Sequence, residues 1–479
     1  MNVGRGRETR WRAGRRLVLL CALALAGCAY QLVHRGQINQ SQVRAVKQGI
    51  QLSRQLSFKT DVPLLLESPA EAEKILSAEL TRKVSDEEFS NDGAGGALLG
   101  LYPPGIDLKA ANLRILTDQV AAFYDGDEKI MVLLSGGTDA GFWYGLAQFV
   151  GQRDAVGQMV LAHELTHALQ DQHFDLEKTL DKLKDDDDRT LALNAVAEGD
   201  ATLAGFDYVL GGIDPATVQT LVLELSNLPA EFVKDAPDIP RGVSEPVVFE
   251  YSAGAKFVGE ALRRGGWAAV DALYAKPPES TRQIMHPELY FEHFTAPVEV
   301  AFRCFDKPLD GWRKVEDDTL GEFLLQVLLK LHLQQESDAE LLAGYWRGDH
   351  MAILRNGPAT AVAWLVVLES AYAADRFSSA YQEISASLPA GLSARRIERR
   401  SNSVLVVAGV TAPESERMAQ CVWRSASIQP PASTPFGPAP VSAPSGSRRQ
   451  ARFSPSPRLM AAPHVEAVGV GSAGLRRSR

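Results

Sequence analysis

The feature that most constrains this chain is a five-residue motif, His163-Glu164-Leu165-Thr166-His167, inside a helical pattern over residues 155–174. Two histidines four residues apart lie about 40° from each other around a helix, so both imidazoles reach one metal ion. Glu164 is offset by about 100°, which leaves its carboxylate beside the ion rather than bound to it. We therefore expect a zinc site with His163 and His167 as ligands and Glu164 as the general base.

The alternative is a surface helix whose two histidines pair with neighbouring side chains. The residues around the motif argue against this alternative, since they are apolar and predict a buried helix: Val160, Ala162, Leu165, Ala168 and Leu169. Buried histidines without partners are costly, and one metal ion satisfies both of them. The motif therefore favours a metal site.

A catalytic zinc needs a third protein ligand and one open coordination position. His173 follows His167 by six residues, a spacing similar to the extended metzincin motif, but Gln170 stands where that motif has a helix-ending glycine. The helix is therefore expected to continue and to turn His173 away. Glu198 lies among Ala and Leu residues on a second helical segment, residues 190–210, where a lone carboxylate is a ligand or a costly unpaired charge. The pattern favours Glu198, with His173 or another residue as the alternative.

Three more residues are weaker candidates for the site. Asp200 follows Glu198 by two residues and is suited to orient a ligand histidine through its second ring nitrogen, although a surface or capping role explains it equally well. Tyr251 and His286 are candidates for donating a hydrogen bond to the oxyanion of a reacting peptide. The alternatives are a half-buried core tyrosine and a loop histidine held by Pro287.

The sequence from His163 to Leu176, followed by Ala197-Glu198-Gly199-Asp200-Ala201, resembles a group of bacterial secreted or lipid-anchored neutral zinc metallopeptidases of the gluzincin kind. Residues 278–288 and 344–349 are also similar to this family, and the resemblance spans residues 60–412. It implies a zincin-like fold, a Zn²⁺ ion held by His163, His167 and Glu198, and Glu164 as the base. It also implies a peptide or protein substrate, without defining which.

The first 27 residues have the order of a bacterial export signal. Six arginines and one glutamate precede an apolar run at residues 17–26, which ends in Leu25-Ala26-Gly27-Cys28. That junction resembles the lipobox of bacterial lipoproteins, whose cysteine becomes the lipid-modified amino terminus. We therefore expect an extracytoplasmic protein anchored to a membrane at Cys28, with a plain signal peptide as the alternative. Ala29, in place of an aspartate, favours the outer membrane or periplasm over the inner membrane.

Composition divides the remaining chain into four parts. Residues 28–60 are polar and predict a tether or surface helix, and residues 61–315 predict a mainly helical metallopeptidase domain. Residues 316–412 alternate helices with short strands and predict a small α+β domain. Residues 428–479 hold nine of the 26 prolines and neither Lys nor Asp, which is typical of a disordered tail or of an out-of-frame translation. The expected fold class is therefore α+β, mainly helical.

The basic residues of the two ends leave an acidic stretch between them. Phosphate binding depends on clustered Lys and Arg, so nucleic acid is not an expected partner. Two alternatives to peptide hydrolysis remain: a catalytically inactive binding or scaffolding lipoprotein on a zincin fold, and an amidase acting on a cell-wall amide. An intact Glu164 favours catalysis, because a structural zinc site has no use for a base. Cys304 and Cys421 are candidates for a disulfide in an oxidising compartment.

Overall fold

The structure is a computed structural model that describes residues 32–34, 36–119, 121–135, 153–226, 238–389, 392 and 395–430. The predicted export signal and Cys28 lie outside these residues, and so does the predicted tail beyond residue 430. No helix in the described part of the chain is long and apolar enough to cross a bilayer.

The chain around the His-Glu-x-x-His motif is helical. Before the motif lie α1 (Gln40–Arg54), α2 (Pro69–Lys83), α3 (Asp86–Leu99) and α4 (Leu108–Gln119). The motif helix is α5 (Arg153–Phe174), which is followed by α6 (Leu176–Leu180), α7 (Asp187–Leu210), α8 (Pro215–Leu225), α9 (Arg241–Ala275), α10 (Thr281–Met285) and α11 (Glu288–Phe291). The two helices predicted to carry the metal ligands are therefore present as α5 and α7.

The strands before the motif are short. β1 (Val33–His34) pairs with β2 (Gln37–Ile38), and β3 (Leu64–Glu67), β4 (Ala122–Asp125) and β5 (Ile130–Leu134) form a sheet in the order β3-β5-β4. β3 runs parallel to β5, and β4 runs antiparallel to it. The Asp125-Gly126 pair, with apolar residues on both sides, predicts two short strands around a turn, and the antiparallel pairing of β4 with β5 confirms this. β4 lies at one edge of this sheet and packs against α5.

The carboxyl-terminal part is built on a five-stranded antiparallel sheet. After β6 (Glu299–Ala301), its strands are β7 (Arg313–Asp318), β8 (Trp346–Asn356), β9 (Ala359–Leu368), β10 (Arg395–Arg400) and β11 (Ser403–Ala408), in the order β10-β11-β9-β8-β7. The helices between and after these strands are α12 (Gly321–His332), α13 (Glu336–Ala343), α14 (Ala371–Ser387) and α15 (Ala412–Ser425). β12 (Ser427–Gln429) pairs with β6, so ordered structure overlaps the first residues of the predicted tail.

The apolar spacing of Ile75, Leu76, Leu80 and Val84 predicts one helix over residues 67–89, but the structure has two helices there. α2 ends at Lys83, and Ser85 begins α3 with a capping box. The Ser85 hydroxyl accepts the Glu88 N–H, while the Glu88 carboxylate accepts the Ser85 N–H. Apolar spacing continues through both helices, which is why the pattern alone did not reveal the break.

The segment predicted to be a tether or surface helix contains α1, which packs into the body of the protein. Its buried residues, Val43, Val46, Ile50 and Arg54, recur every three or four positions and form one helical face. Their side chains pack against α5 and α7. The helix is therefore part of the structure that surrounds the metal motif.

The largest apolar cluster crosses the predicted domain border between residues 315 and 316. It contains Leu169 and Val196 from the helices of the motif region and Trp364 and Val404 from the five-stranded sheet. Alternate residues of the same strands, such as Leu365, face a second cluster beneath α15. The described chain is therefore a mixed α+β structure, mainly helical, whose helices and sheet share one core.

Candidate metal centre

His163, His167 and Glu198 converge on one point between α5 and α7. The Nε2 atoms of the two histidines are 3.1 Å apart. His163 Nε2 lies 3.1 Å from Glu198 Oε2, and His167 Nε2 lies 3.4 Å from Glu198 Oε1. The structure thus brings together the three residues that the sequence analysis proposed as metal ligands.

Three features of this cluster fit a bound cation. Ligands at ordinary zinc bond lengths in a tetrahedral site lie about 3.3 Å from one another, close to the spacings found here. Glu198 is a carboxylate whose Oε2 is buried, so its negative charge requires a positive partner there. Two imidazoles and one carboxylate are also a ligand set of catalytic zinc sites. The residues present therefore fit a zinc ion.

The electrostatics of the cluster keep Glu198 charged. Burial lowers the pKa of His163. Burial acts in the same direction on His167, but the Glu198 carboxylate outweighs it and raises the pKa of His167 to about 10. Burial alone would raise the pKa of Glu198, yet the two histidines hold that pKa well below its usual range. Glu198 is therefore an anion at neutral pH, which is the form in which a carboxylate binds a metal ion.

Glu164 lies beside the three ligands without joining them. Its Oε1 is 4.0 Å from His163 Nε2, and its Oε2 accepts a hydrogen bond from the backbone N–H of Tyr124 at 3.2 Å. Burial raises the pKa of Glu164 to about 8. A cation held by the histidines would lower this pKa by Coulomb attraction and favour the ionised base. The carboxylate is thus placed to take a proton next to the metal position.

Tyr251 also reaches the cluster. Its ring stacks on that of His163, with centroids 5.8 Å apart and an interplanar angle of 21°. Burial raises the pKa of Tyr251 well above its usual value, and the charges of Glu198 and Glu164 raise it further. The hydroxyl is therefore a proton-bearing donor beside the ligands.

Two glycines set the distance between α7 and α9. A Cβ on Gly254 would lie 2.0 Å from the Ala195 carbonyl oxygen, and a Cβ on Gly199 would lie 2.3 Å from the Gly254 carbonyl carbon. The two helix backbones therefore touch directly. Gly199 follows Glu198, and Gly254 lies one helical turn after Tyr251, so this contact fixes the ligand and the tyrosine relative to each other.

Asp200, a candidate from the sequence for orienting a ligand histidine, does not contact one directly, because Gln170 lies between Asp200 and His167. Gln170 Oε1 is 2.9 Å from His167 Nδ1. The Gln170 amide nitrogen donates to Asp200 Oδ2 at 3.2 Å and to the Ala197 carbonyl at 2.9 Å. Asp200 is fully buried, which corrects the alternative of a surface role.

Two other histidines are held elsewhere. His286 follows α10, and its Nε2 lies 2.8 Å from Glu322 Oε1 on α12. Arg282 also donates to Glu322, so this carboxylate ties His286 to a group of residues separate from the metal cluster. The suggestion that His286 donates to an oxyanion is therefore not supported by its contacts. His173 contacts the Ser57 carbonyl, with His173 Nε2 and the oxygen 2.7 Å apart, and it does not join the ligands.

Three further residues beside the cluster are not predicted as site residues by the sequence. Gln170 lies three residues after His167 on the same helix, a spacing that places neighbouring side chains together. Asn194 precedes Glu198 by one turn on the same face of α7. Glu250 lies next to Tyr251; burial, and then the charge of Glu198, raise its pKa to about 8, while a hydrogen bond from Asn194 opposes that rise.

Comparison with known proteins bears on a different part of the chain. Residues 307–419 match a domain of unknown function, DUF8575. The match contains the five-stranded sheet and does not include the metal cluster. No curated protein and no solved structure matches the chain. The geometry of the metal cluster is therefore the main indication of function.

Proposed function

We propose that this protein is a zinc-dependent metallopeptidase with a zincin-like core, which hydrolyses peptide bonds. The observation that carries the proposal is the convergence of His163, His167 and Glu198, with the Glu164 carboxylate 4.0 Å from His163 Nε2. The three convergent residues provide ligands for a cation, and the fourth provides a base beside it. A site that only stabilised the fold would not need that base.

The residues of the site have separable roles. When bound, zinc supplies a Lewis acid that polarises a carbonyl and makes water more acidic. Glu164, held by the Tyr124 N–H, takes a proton from the attacking water and passes it to the leaving amine. Tyr251 donates a hydrogen bond to the substrate carbonyl oxygen as negative charge develops there. Gln170 holds His167 so that its Nε2 faces the other ligands.

The proposal includes a location outside the cytoplasm, with a lipid anchor on Cys28. It rests on the basic segment, the apolar run and the Leu25-Ala26-Gly27-Cys28 junction. A Cys28→Ser variant should lose the lipid and leave the membrane fraction. Mass spectrometry of the amino-terminal peptide of the wild-type protein tests the same point, since that peptide should begin at Cys28 and carry the additional mass of a lipid.

The deciding experiment combines metal analysis with an activity assay on an unbiased peptide library. The purified wild-type chain should contain one zinc per molecule and cleave peptides. A Glu164→Gln variant should keep its zinc and lose activity by at least about 100-fold. Equal activity of the two proteins would contradict the role of Glu164, and absence of zinc from both would contradict the site itself. Zinc without peptide cleavage would favour the scaffolding or amidase alternatives.

A further inference from the structure

The last residue of α1, Arg54, lies in the interior behind the metal cluster. Its side chain is completely buried. Nε donates to Asp200 Oδ1 at 2.7 Å, and Nη2 lies 3.2 Å from Asp200 Oδ2 and 2.6 Å from Asp271 Oδ1. The guanidinium also packs over the ring of Trp267, 4.9 Å from its centroid. A buried arginine is costly unless it is paired in this way, so the site is built around its charge.

Asp200 is the acceptor that connects Arg54 to the cluster. Besides both bonds from Arg54, it accepts from the Tyr274 hydroxyl at 2.8 Å and from the Gln170 amide nitrogen at 3.2 Å. Arg54 binds both carboxylate oxygens in a bidentate arrangement, which fixes the plane of the carboxylate. The position of the Gln170 partner is therefore set by an arginine 146 residues earlier than Asp200 in the chain.

The orientation of Gln170 determines which nitrogen of His167 is free. The amide nitrogen of Gln170 faces two acceptors, Asp200 Oδ2 and the Ala197 carbonyl, so its oxygen must face His167 Nδ1. An amide oxygen only accepts, so Nδ1 carries a hydrogen and Nε2 is the nitrogen left to bind a metal ion. That Nε2 is the atom that lies 3.1 Å from His163 Nε2 in the cluster.

We propose that Arg54 is a positioning residue of the metal site, which strengthens metal binding by holding Asp200, Gln170 and His167 in one chain of hydrogen bonds. This inference rests on the metal site of the proposed function and adds that helix α1 contributes to metal binding at that site. Partners of metal-ligating histidines typically change metal affinity by about 10–100-fold when they are removed. Arg54 acts two hydrogen bonds further away than Gln170, through a carboxylate that it alone holds with two bonds.

A residue that merely anchored α1 would behave differently, and Lys47 is such a residue. It lies on the same helix, where its Nζ contacts Asp61 Oδ1 at 2.6 Å and donates to the Val62 carbonyl at 2.7 Å. None of these atoms belongs to the chain of bonds that leads to His167. Lys47→Met therefore loosens the helix without altering the orientation of Gln170 and serves as the matched control.

The test measures zinc dissociation constants of full-length variants by competition with a chromogenic chelator, after circular dichroism has shown that each variant is folded. Arg54→Met should weaken zinc binding by about 10-fold or more, and Arg54→Lys by less, because lysine keeps the charge but not the bidentate geometry. Lys47→Met should stay within about twofold of the wild type. If Arg54→Met does not fold, Arg54→Lys decides the question.

A double-mutant cycle separates positioning from a general effect on the fold. Gln170→Leu removes the hydrogen bond between Gln170 and His167, through which Arg54 would act. Adding Arg54→Met to this variant should therefore weaken zinc binding by no more than about another twofold. If the two substitutions weaken zinc binding by factors that multiply, the inference is overturned. A folded Arg54 variant with wild-type zinc affinity would overturn it as well, and either result would leave the metallopeptidase proposal intact. A wild-type chain that binds no zinc would overturn both.

Discussion

The backbone N–H of Tyr124 donates a hydrogen bond to Glu164 Oε2, with nitrogen and oxygen 3.2 Å apart. Tyr124 belongs to the edge strand β4, and Glu164 belongs to the motif helix α5. A main-chain donor has a fixed position, so the strand determines where the carboxylate points. The base of the proposed reaction is thus oriented by the sheet as well as by its own helix.

Shortening the Glu164 side chain should abolish its function as a base without affecting metal binding. In Glu164→Asp the carboxylate withdraws by one methylene from both the Tyr124 N–H and the ligand cluster. We expect activity to fall by about 100-fold or more, with zinc content unchanged. Steady-state kinetics and metal analysis of the same preparation check this. A variant that retained most of its activity would show that the position of the carboxylate is not critical.

Removing the Tyr251 hydroxyl should affect the transition state more than substrate binding. In Tyr251→Phe the ring still stacks on His163, but the donor is lost. We expect kcat to fall by about 100-fold while KM changes little, because an oxyanion donor acts on charge that develops during the reaction. An unchanged kcat would exclude Tyr251 from this role. Zinc affinity of the variant provides the control for an intact site.

Adding a methyl group at Gly254 should lower both the stability and the activity of the protein. The new Cβ would lie 2.0 Å from the Ala195 carbonyl oxygen, so α9 must move away from α7 and carry Tyr251 with it. We expect Gly254→Ala to cost about 1–3 kcal/mol in the free energy of unfolding and to lower kcat. Gly259→Ala on the same helix is the control, because its Cβ meets a Val218 methyl that is able to shift. Similar decreases in the free energy of unfolding and in kcat for both variants would contradict a special role for the Gly199–Gly254 contact.

The stability of the fold should depend on the ionisation of Asp188. Its Oδ1 accepts from the Thr281 N–H and hydroxyl in the interior, and burial raises the pKa of Asp188 to about 7. The folded chain therefore binds this proton more tightly than the unfolded chain, whose aspartates titrate near 3.9. The contribution to stability is complete below about pH 4 and is lost as the pH rises through about 7.

An Asp188→Asn variant keeps the acceptor oxygen but removes this titration. Its melting temperature should therefore decline less between pH 5 and pH 8 than that of the wild type. Thermal unfolding at a series of pH values, monitored by circular dichroism, makes the comparison. Parallel pH profiles of the two proteins would show that the carboxyl group of Asp188 does not contribute.

Local sequence periodicity is sufficient to predict the part of the site that lies on helices α5 and α7. The four-residue spacing of His163 and His167 places both on one face of α5, and Glu198 stands on the predicted face of α7. The sequence supports Tyr251 only as a weaker candidate, since nothing in its local sequence shows that α9 touches α7. That contact depends on Gly199 and Gly254, which have no side chain to form an apolar pattern.

The supporting residues could not be predicted from local patterns. Arg54 and Asp200 are 146 residues apart, and their pairing depends on how α1 packs against α7. The spacing of Val43, Val46, Ile50 and Arg54 on one helical face was the available signal, but the polar composition of the segment obscured it. A charged residue at the end of an otherwise apolar face indicates a buried partner of opposite charge elsewhere in the chain.

The shared core has a consequence for how this protein is made. The Tyr381 hydroxyl donates to the Leu99 carbonyl at 2.8 Å, and Arg355 Nε donates to the Asn91 side chain at the same distance, so α3 is covered by elements synthesised more than 250 residues later. Contacts this distant in sequence form slowly, because long loops must close first. The apolar face of α3 therefore stays exposed until the chain beyond residue 381 has been synthesised, and exposed apolar surface of this kind favours aggregation of an incomplete chain.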